Sequence, residues 1–579
     1  MGRWNQLWAR KSMETLLAEV DGEHGLRRAL GPVALTSLGV GAIIGAGIFA
    51  TTGRVAAQEA GPSIVISYMI AGIACAFAAF CYAEFSAMAP VAGSAYTYTY
   101  ATLGEFLAWI IGWDLVLEYA MSCATVAAHW ANHLDEFTDA VFGVRIPLVL
   151  LCDPFTNPTI NGQEIEMQCW FNLPAMLIMA LVTVVLVIGI RESAITNAIL
   201  VVVKLSVVLY VIFVGWGYVN ADNWSKVPME SRRPTDALDF VDRHPELAEI
   251  VPKEKRGEFE GGEQLLKDIP ELKKKLSEKD RVLLKSLPAE GKKWGLLGVL
   301  GIKHWLLPID DAVRSPFMPF GFSGMMVGAA LVFFAYIGFD SISTHSEEAK
   351  NPQRDVPLGI LLSLGICTVL YIAVSAVITG MVPYPEIDLN AAVASAFSRQ
   401  ANIQKSTFLR ASAAFIATGA LAGMTSVLLV TFLSQARIFL AMSRDGLLPP
   451  SIFAAIHPKF KTPYRSTILT GVLISLVAGF TSIRALEEMV NIGTLMAFAL
   501  VCGSVLILRI KRPDVPRPFR CPLVWFVAPA GIFVNVVLML FLPVNTWLRL
   551  VVWLGLGMVI YFCYGQRHSV VGKEMAKAS

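Results

Sequence analysis

Residues 40–53 read VGAIIGAGIFATTG, an apolar stretch interrupted by Gly41, Gly45, Gly47 and Gly53. Glycine costs a helix interior about 1 kcal/mol relative to alanine, so its density here needs a reason. Close packing is the plain one, because Gly41 and Gly45 form a small-xxx-small pair on one helix face. Gly39 and Gly47 point to roughly the opposite side, and a single packing contact does not need both sides. Glycine spread around the helix instead predicts a break in it. Inside a bilayer a break is tolerable only where the freed N–H and C=O groups meet protein, water or ligand.

The surroundings support a membrane setting. Of 579 residues, 55% are hydrophobic and 16% charged, against about a quarter charged in a soluble protein. Apolar runs near the ~20 residues that cross a bilayer recur along the chain. Twelve segments are predicted, over 33–56, 63–88, 98–131, 171–190, 193–219, 320–341, 357–380, 407–433, 465–481, 486–508, 522–542 and 547–565. The sequence opens on a polar stretch, residues 1–32, without a cleavable leader pattern. With that stretch inside, the short inner connections hold 21 Lys and Arg residues and the short outer ones hold 7. This bias predicts cytoplasmic termini, including a tail at 567–579, in a multi-pass protein of the cell (inner) membrane.

Residues 220–319 differ, with 18 basic and 18 acidic residues. They are predicted to form an extracytoplasmic insertion between a first block of five segments (33–219) and a second (320–510), with two further segments over 511–566. Within the insertion Leu265, Leu266, Ile269, Leu272 and Leu276 recur at helical spacing. It reads as a helical decoration or a partner surface, a small membrane subunit included. Cys152 and Cys169 fall in the outer connection between segments 3 and 4, where the oxidising side of a membrane would permit a disulfide. Spacing alone fixes neither their distance nor their geometry.

If the two blocks of five are inverted repeats, the first segment of the second block should also be broken. Segment 6, GFSGMMVGAALVFFAYIGFDSIS, carries Gly324 and Gly328 followed by the cluster FFAYIGFD at 333–340. The backbone N–H groups of Gly45, Ala46 and Gly47, at the start of a half-helix, suit a carboxylate. Carbonyls freed around Phe334, Ala335 and Ile337 suit an ammonium group. Together they would grip an α-amino acid without a charged side chain.

Lys204, in NAILVVVKLSVVLYVIFVGWG, sits mid-segment with apolar residues on every face, which points to a relay or ion-coupling element. A permanent structural cation is the plainer alternative. Asp114 and Glu118 project from one face of segment 3, where Glu118 could line the pocket for a substrate side chain; Glu84 and Asp340 could simply pin helix ends. His129 and His133 have the i, i+4 spacing of a metal pair but no third ligand, and no metal site is expected. The sequence has no nucleophile–base constellation, phosphate loop or nucleotide fingerprint. An enzyme, an ATP-driven pump, a bound cofactor and a nucleic-acid partner are therefore not expected.

The segments GVGAIIGAGIF, AGPSIVISYMIAG, CYAEFSAMAPVAGSAYTYTY, FAYIGFDSISTHSEEAKNPQRDVPLGI, QARIFLAMSRDGLLP and NIGTLMAFALV span residues 30–510. In that order they resemble the amino acid–polyamine–organocation superfamily, and within it the cationic amino acid transporter branch with its bacterial relatives. The resemblance implies a leucine-transporter-type fold of two inverted five-helix repeats plus two helices, and alternating access. It implies a substrate carboxylate on Ile44, Gly45, Ala46 and Gly47 and an amino group at Phe333–Ile337, with Phe334 as a gate. Met424 in segment 8 would restrict the pocket. Lys204 would match the fifth-segment lysine of proton-coupled members, where its ammonium replaces a sodium ion. The expected activity is proton-coupled symport of L-amino acids. An exchanger or uniporter on the same fold, or a non-transporting amino acid receptor, are the alternatives. The branch includes carriers of neutral as well as cationic amino acids, and the insertion lies outside the resemblance.

Overall fold

The structure is a computed structural model that describes residues 6–11, 30–89, 93–155, 159–160, 163–164, 167–189, 193–251, 261–287 and 294–578. Among the inner cations counted above, Arg3, Arg27, Arg28 and Arg191 lie outside them. Among the described residues, eight helices are long and apolar enough to cross a membrane, and four shorter apolar ones cover Pro32–Ile43, Leu173–Ile188, Tyr464–Phe480 and Val524–Leu540. The protein is a polytopic helical membrane protein. A two-stranded antiparallel pair, Thr159–Ile160 with Gln163–Glu164, sits in the connection between segments 3 and 4. In the same connection Cys152 and Cys169 are disulfide-bonded, with Cα atoms 5.7 Å apart.

Segment 1 is not one rod. Its helix ends at Ile43, Ile44 turns extended (ψ 104°), and helical structure resumes at Ala46. Segment 6 is helical over Gly321–Val332, tightens over Phe333–Tyr336, turns extended at Ile337 and continues over Asp340–Glu348. The two breaks pack on each other, which explains two of the glycines. A Cβ on Gly47 would run into the Ala335 backbone. Gly338, at φ +119°, would place a Cβ 2.9 Å from the Ala42 carbonyl. Close backbone approach is what small residues allow between membrane helices. At one end of this pair, Leu30 N–H donates to Glu348 O (2.9 Å) and Lys350 N–H donates to Leu30 O (2.8 Å), a strand-like bridge ahead of segment 1 and after segment 6.

Segment 3 starts later than the sequence predicts. Ser94–Thr102 is a separate helix, and the long helix Glu105–Phe142 begins only after Gly104. Gly104 adopts φ +105° with the backbone of Trp8 2.9 Å from where its Cβ would sit. The aromatic run AYTYTY masked that turn. Segment 8 is longer than expected, Thr407–Arg444, because its polar final turns stay helical.

The insertion keeps the predicted apolar period but is cut into short helices, Gly262–Asp268, Pro270–Lys275 and Glu278–Ser286. Pro270 starts the second of these, and Ser277 caps the third by accepting from Asp280 N–H (3.2 Å). Proline and an N-cap serine restart a helix rather than continue one. Leu265, Leu266, Leu272, Leu276 and Leu284 bury together with Phe240 and Val241 in a cluster separate from the main core.

Candidate functional site

A helix broken in mid-membrane leaves backbone groups that water cannot reach, so each needs a partner. On segment 1 the carbonyls are taken. Lys204 Nζ donates to Gly41 O (2.6 Å), Ile44 O (3.0 Å) and Gly423 O (3.4 Å). Lys204 is fully buried, and among the described residues it is in no ion pair. Tyr371 on segment 7 places its hydroxyl 2.8 Å from Ile43 O and 2.9 Å from Ala335 O, sharing one proton between the two breaks. Tyr68 donates to Gly47 O (3.1 Å), with Thr52 2.7 Å from its hydroxyl.

The N–H groups behave differently. Among the described residues, no acceptor is present for the N–H of Gly45, Ala46 or Gly47, whereas Ile44 N–H still donates to Val40 O at 3.0 Å. Three adjacent donors open a half-helix and carry its partial positive charge. Buried donors left unpaired are rare and invite an anion. Opposite them, Phe334 O accepts from Ile337 N–H (3.3 Å) and Ala335 O from Tyr371. A carbonyl has two lone pairs, so both oxygens retain capacity for an ammonium donor.

The predicted residues do not all converge. Ile44, Gly45, Ala46, Gly47, Phe333, Phe334, Ala335 and Ile337 lie buried at the facing breaks. Met424 is buried in the core, and on the same helix Gly423 and Val427 reach segment 1, the latter 2.7 Å from a Cβ on Gly45. Glu118 falls in an acidic group with Asp114 and Asp340. Thr494 approaches Glu118 without closing a hydrogen bond, and neither the Glu118 nor the Asp114 carboxylate has a partner among the described residues. Asp340 accepts from Tyr119 (2.6 Å) and Gly338 N–H (3.3 Å), which ties it to the segment 6 break. Glu84 accepts twice from Arg509 (2.9 and 2.7 Å), and also from Arg517 (3.2 Å) and Cys521 N–H (2.7 Å), joining segment 2 to the ends of segments 10 and 11.

His129 and His133 serve different contacts. His129 Nε2 lies 2.8 Å from Glu487 Oε1, while His133 Nδ1 lies 3.0 Å from His129 O. Glu487 also accepts from Thr51 (2.9 Å) and pairs with Arg54, so segments 1, 3 and 10 meet around one buried carboxylate beyond the break.

The chain matches the family model described as "Amino acid permease" over residues 30–242 and 295–563. The chain belongs to the amino acid permease family. The match leaves out residues 243–294, most of the insertion's separate core. Relatives of this permease include the Bacillus subtilis "Methylthioribose transporter", 38% identical over 98% of this chain and 100% of that protein. The "Branched-chain amino acid permease BcaP" of the same organism is 37% identical, over 97% of this chain and 98% of that protein. The Arabidopsis thaliana "Cationic amino acid transporter 4, vacuolar" is 34% identical, over 88% of this chain and 68% of that protein. The permease thus has relatives in the branch its motifs resemble, and these relatives are transporters rather than enzymes.

Sequence reasoning missed Tyr371, Tyr68, Thr51, Arg54 and Glu487. Each looks ordinary on its own helix. Only Tyr371 offered a cue, a hydroxyl in the apolar run GICTVLYIAVSAV, where an unpartnered polar tip would be costly.

Proposed function

We propose that this permease carries L-amino acids by proton-coupled symport with alternating access, on twelve spans arranged as two inverted repeats of five plus two. Both termini then face the cytoplasm of a bacterial inner membrane, and the insertion faces outside. The observation that carries the reading is the trio of unaccepted N–H groups at Gly45, Ala46 and Gly47, facing a second break whose carbonyls keep lone pairs. A zwitterion fits that polarity: carboxylate toward segment 1, ammonium toward Phe333–Ile337, with Phe334 closing over it. Lys204 would link this site to the proton, because its ammonium holds the very carbonyls that the break frees. Losing its proton would weaken that hold and loosen segment 1 against segment 8.

The same contacts favour a second reading. Three carbonyl acceptors satisfy all three ammonium donors, so Lys204 could remain charged as a fixed brace, leaving an exchanger or uniporter. Uptake into proteoliposomes with and without an inward proton gradient separates the two. If Lys204→Ala transports with its proton dependence intact, the coupling role falls. Thermal stabilisation by each of the twenty amino acids, with methylthioribose as a comparison because one relative bears that name, reads substrate class from affinity for the folded state. Stabilisation by methylthioribose alone would overturn the zwitterion reading.

A further inference from the structure

Residues 294–313 lie between the insertion's core and segment 6, and no motif or site above accounts for them. They form two short helices, Leu296–Val299 and Lys303–Val313. One side is tied to the membrane domain. Asp310 Oδ1 accepts from Ser323 N–H (2.8 Å) at the start of segment 6, and Asp310 is fully buried. Gly321, at φ +71°, brings its backbone against that carboxylate. The Trp294 ring lies 6.3 Å from the Phe541 ring at the end of segment 11, and the Phe322 ring lies 6.4 Å from Phe541 on its other approach.

Among the described residues, the other side is apolar and exposed. Val299 is 71% exposed, Ile302 42%, Trp305 84% and Ile309 47%. Trp305 and Ile309 are one turn apart, so they share a face, while Leu306 and Asp310 share the next one, which packs inward. A soluble helix has no reason to hold a tryptophan and an isoleucine in water on one face. Gly295, at the head of the first short helix, packs against the Phe541 and Leu542 carbonyls, where segment 11 ends and segment 12 begins, and those segments carry exposed Phe533 and Val544. An apolar face beside the ends of two apolar helices suits a membrane–water boundary, the level at which tryptophan concentrates.

We infer that residues 299–309 form an interfacial anchor whose apolar face is covered by the lipid of one leaflet, at the headgroup–acyl boundary. An amphipathic helix lying in the interface buries such a face by about 5–10 Å. Through Asp310 the anchor bears directly on the first turn of segment 6, so the bilayer holds the start of one broken helix at a fixed depth.

The test uses the full-length chain in lipid nanodiscs with Cys563→Ser, which removes the exposed free thiol. A spin label is placed at Trp305→Cys and, as a water-exposed reference, at Glu271→Cys in the insertion. The expected result is a shift at position 305 toward collision with dissolved oxygen and away from a water-soluble nickel chelate, with the reverse at 271. Equal nickel access at the two positions would overturn the inference. So would spin–spin broadening at 305 that disappears on dilution into nanodiscs holding one copy, since a second copy would then be the cover. Hydrogen exchange supplies an independent readout: Trp305→Asp with Ile309→Asp should speed exchange over 303–313 in nanodiscs while the long apolar helices keep theirs. Unchanged exchange there would also refute the anchor. Either failure leaves the transport reading untouched, because no substrate measurement is involved.

Discussion

Removing one oxygen from Tyr371 is the sharpest perturbation of the paired breaks. Tyr371→Phe keeps the ring, which packs 5.5 Å from Tyr68 and 5.3 Å from Tyr336, and deletes only the donor shared by Ile43 O and Ala335 O. Because the hydroxyl has one proton, the loss is one strong donor rather than two. Ile43 and Ala335 are buried, and an orphaned buried acceptor costs about 1–3 kcal/mol. Taking about 2 kcal/mol, the facing geometry of the breaks loses about 30-fold in population relative to relaxed alternatives. Apparent substrate affinity falls in proportion to the competent fraction. The assay is isothermal binding of the best-stabilising amino acid to purified protein, with thermal unfolding measured alongside to separate local loosening from global damage. Where the facing geometry is not in large excess over its alternatives, the expected outcome is affinity weakened by about 10- to 30-fold, with a modest shift in unfolding. Binding within about twofold of wild type would refute the claim that Tyr371 holds the two breaks in register.

Four more perturbations probe the remaining contacts. Gly47→Ala puts a methyl against the Ala335 backbone, so substrate-induced thermal stabilisation should vanish while the protein still inserts; retained stabilisation would mean the breaks are not in close contact. Glu487→Leu takes the paired carboxylate away from Arg54, and breaking a buried pair by removing one partner costs about 3–5 kcal/mol. Adding Arg54→Met should restore part of the stability, and a double-mutant cycle with no coupling would sink that pairing. In the insertion, burial raises the Asp239 carboxyl, but hydrogen bonds and charge from Arg232 and then Arg243 outweigh it and hold the group well below the usual carboxylate range. A depressed folded value contributes stability above the ordinary carboxylate pKa and loses it as pH falls. Asp239→Asn should therefore speed hydrogen exchange over 237–287 at neutral pH, with the difference shrinking below about pH 4. Cys169→Ser opens a loop closed across a sequence separation of 17 residues, which in the chain-entropy account is worth about 3 kcal/mol; unchanged thermal stability would argue against that contribution.

The breaks were legible because their cause is local. Glycine in mid-membrane on two faces of one helix is hard to reconcile with a continuous rod, and the matching position in segment 6 follows from repeat logic. Lys204 was legible as an anomaly of charge in an apolar run, although its three carbonyl partners were not. Tyr371 was hidden because its acceptor Ile43 lies 328 residues away, and nothing along segment 7 records that distance. Glu118 shows where spacing stops. Its spacing from Asp114 was readable, but whether the shared face looks at a pocket or at Asp340 depends on helix rotation, which helix–helix packing sets. The insertion's leucines fixed a buried face correctly, while Pro270 and Ser277, visible in the sequence, were outweighed by the apolar period.

The strand-like bridge from Leu30 to the residues flanking Ala349 has a mechanical corollary. Two backbone hydrogen bonds fasten the entry to Pro32–Ile43 onto the exit from Asp340–Glu348. Neither half can swing far without pulling on the other. With Gly47 against Ala335 and Gly338 against Ala42, the two breaks are also in direct backbone contact, so a displacement of either arm bears on both breaks at once.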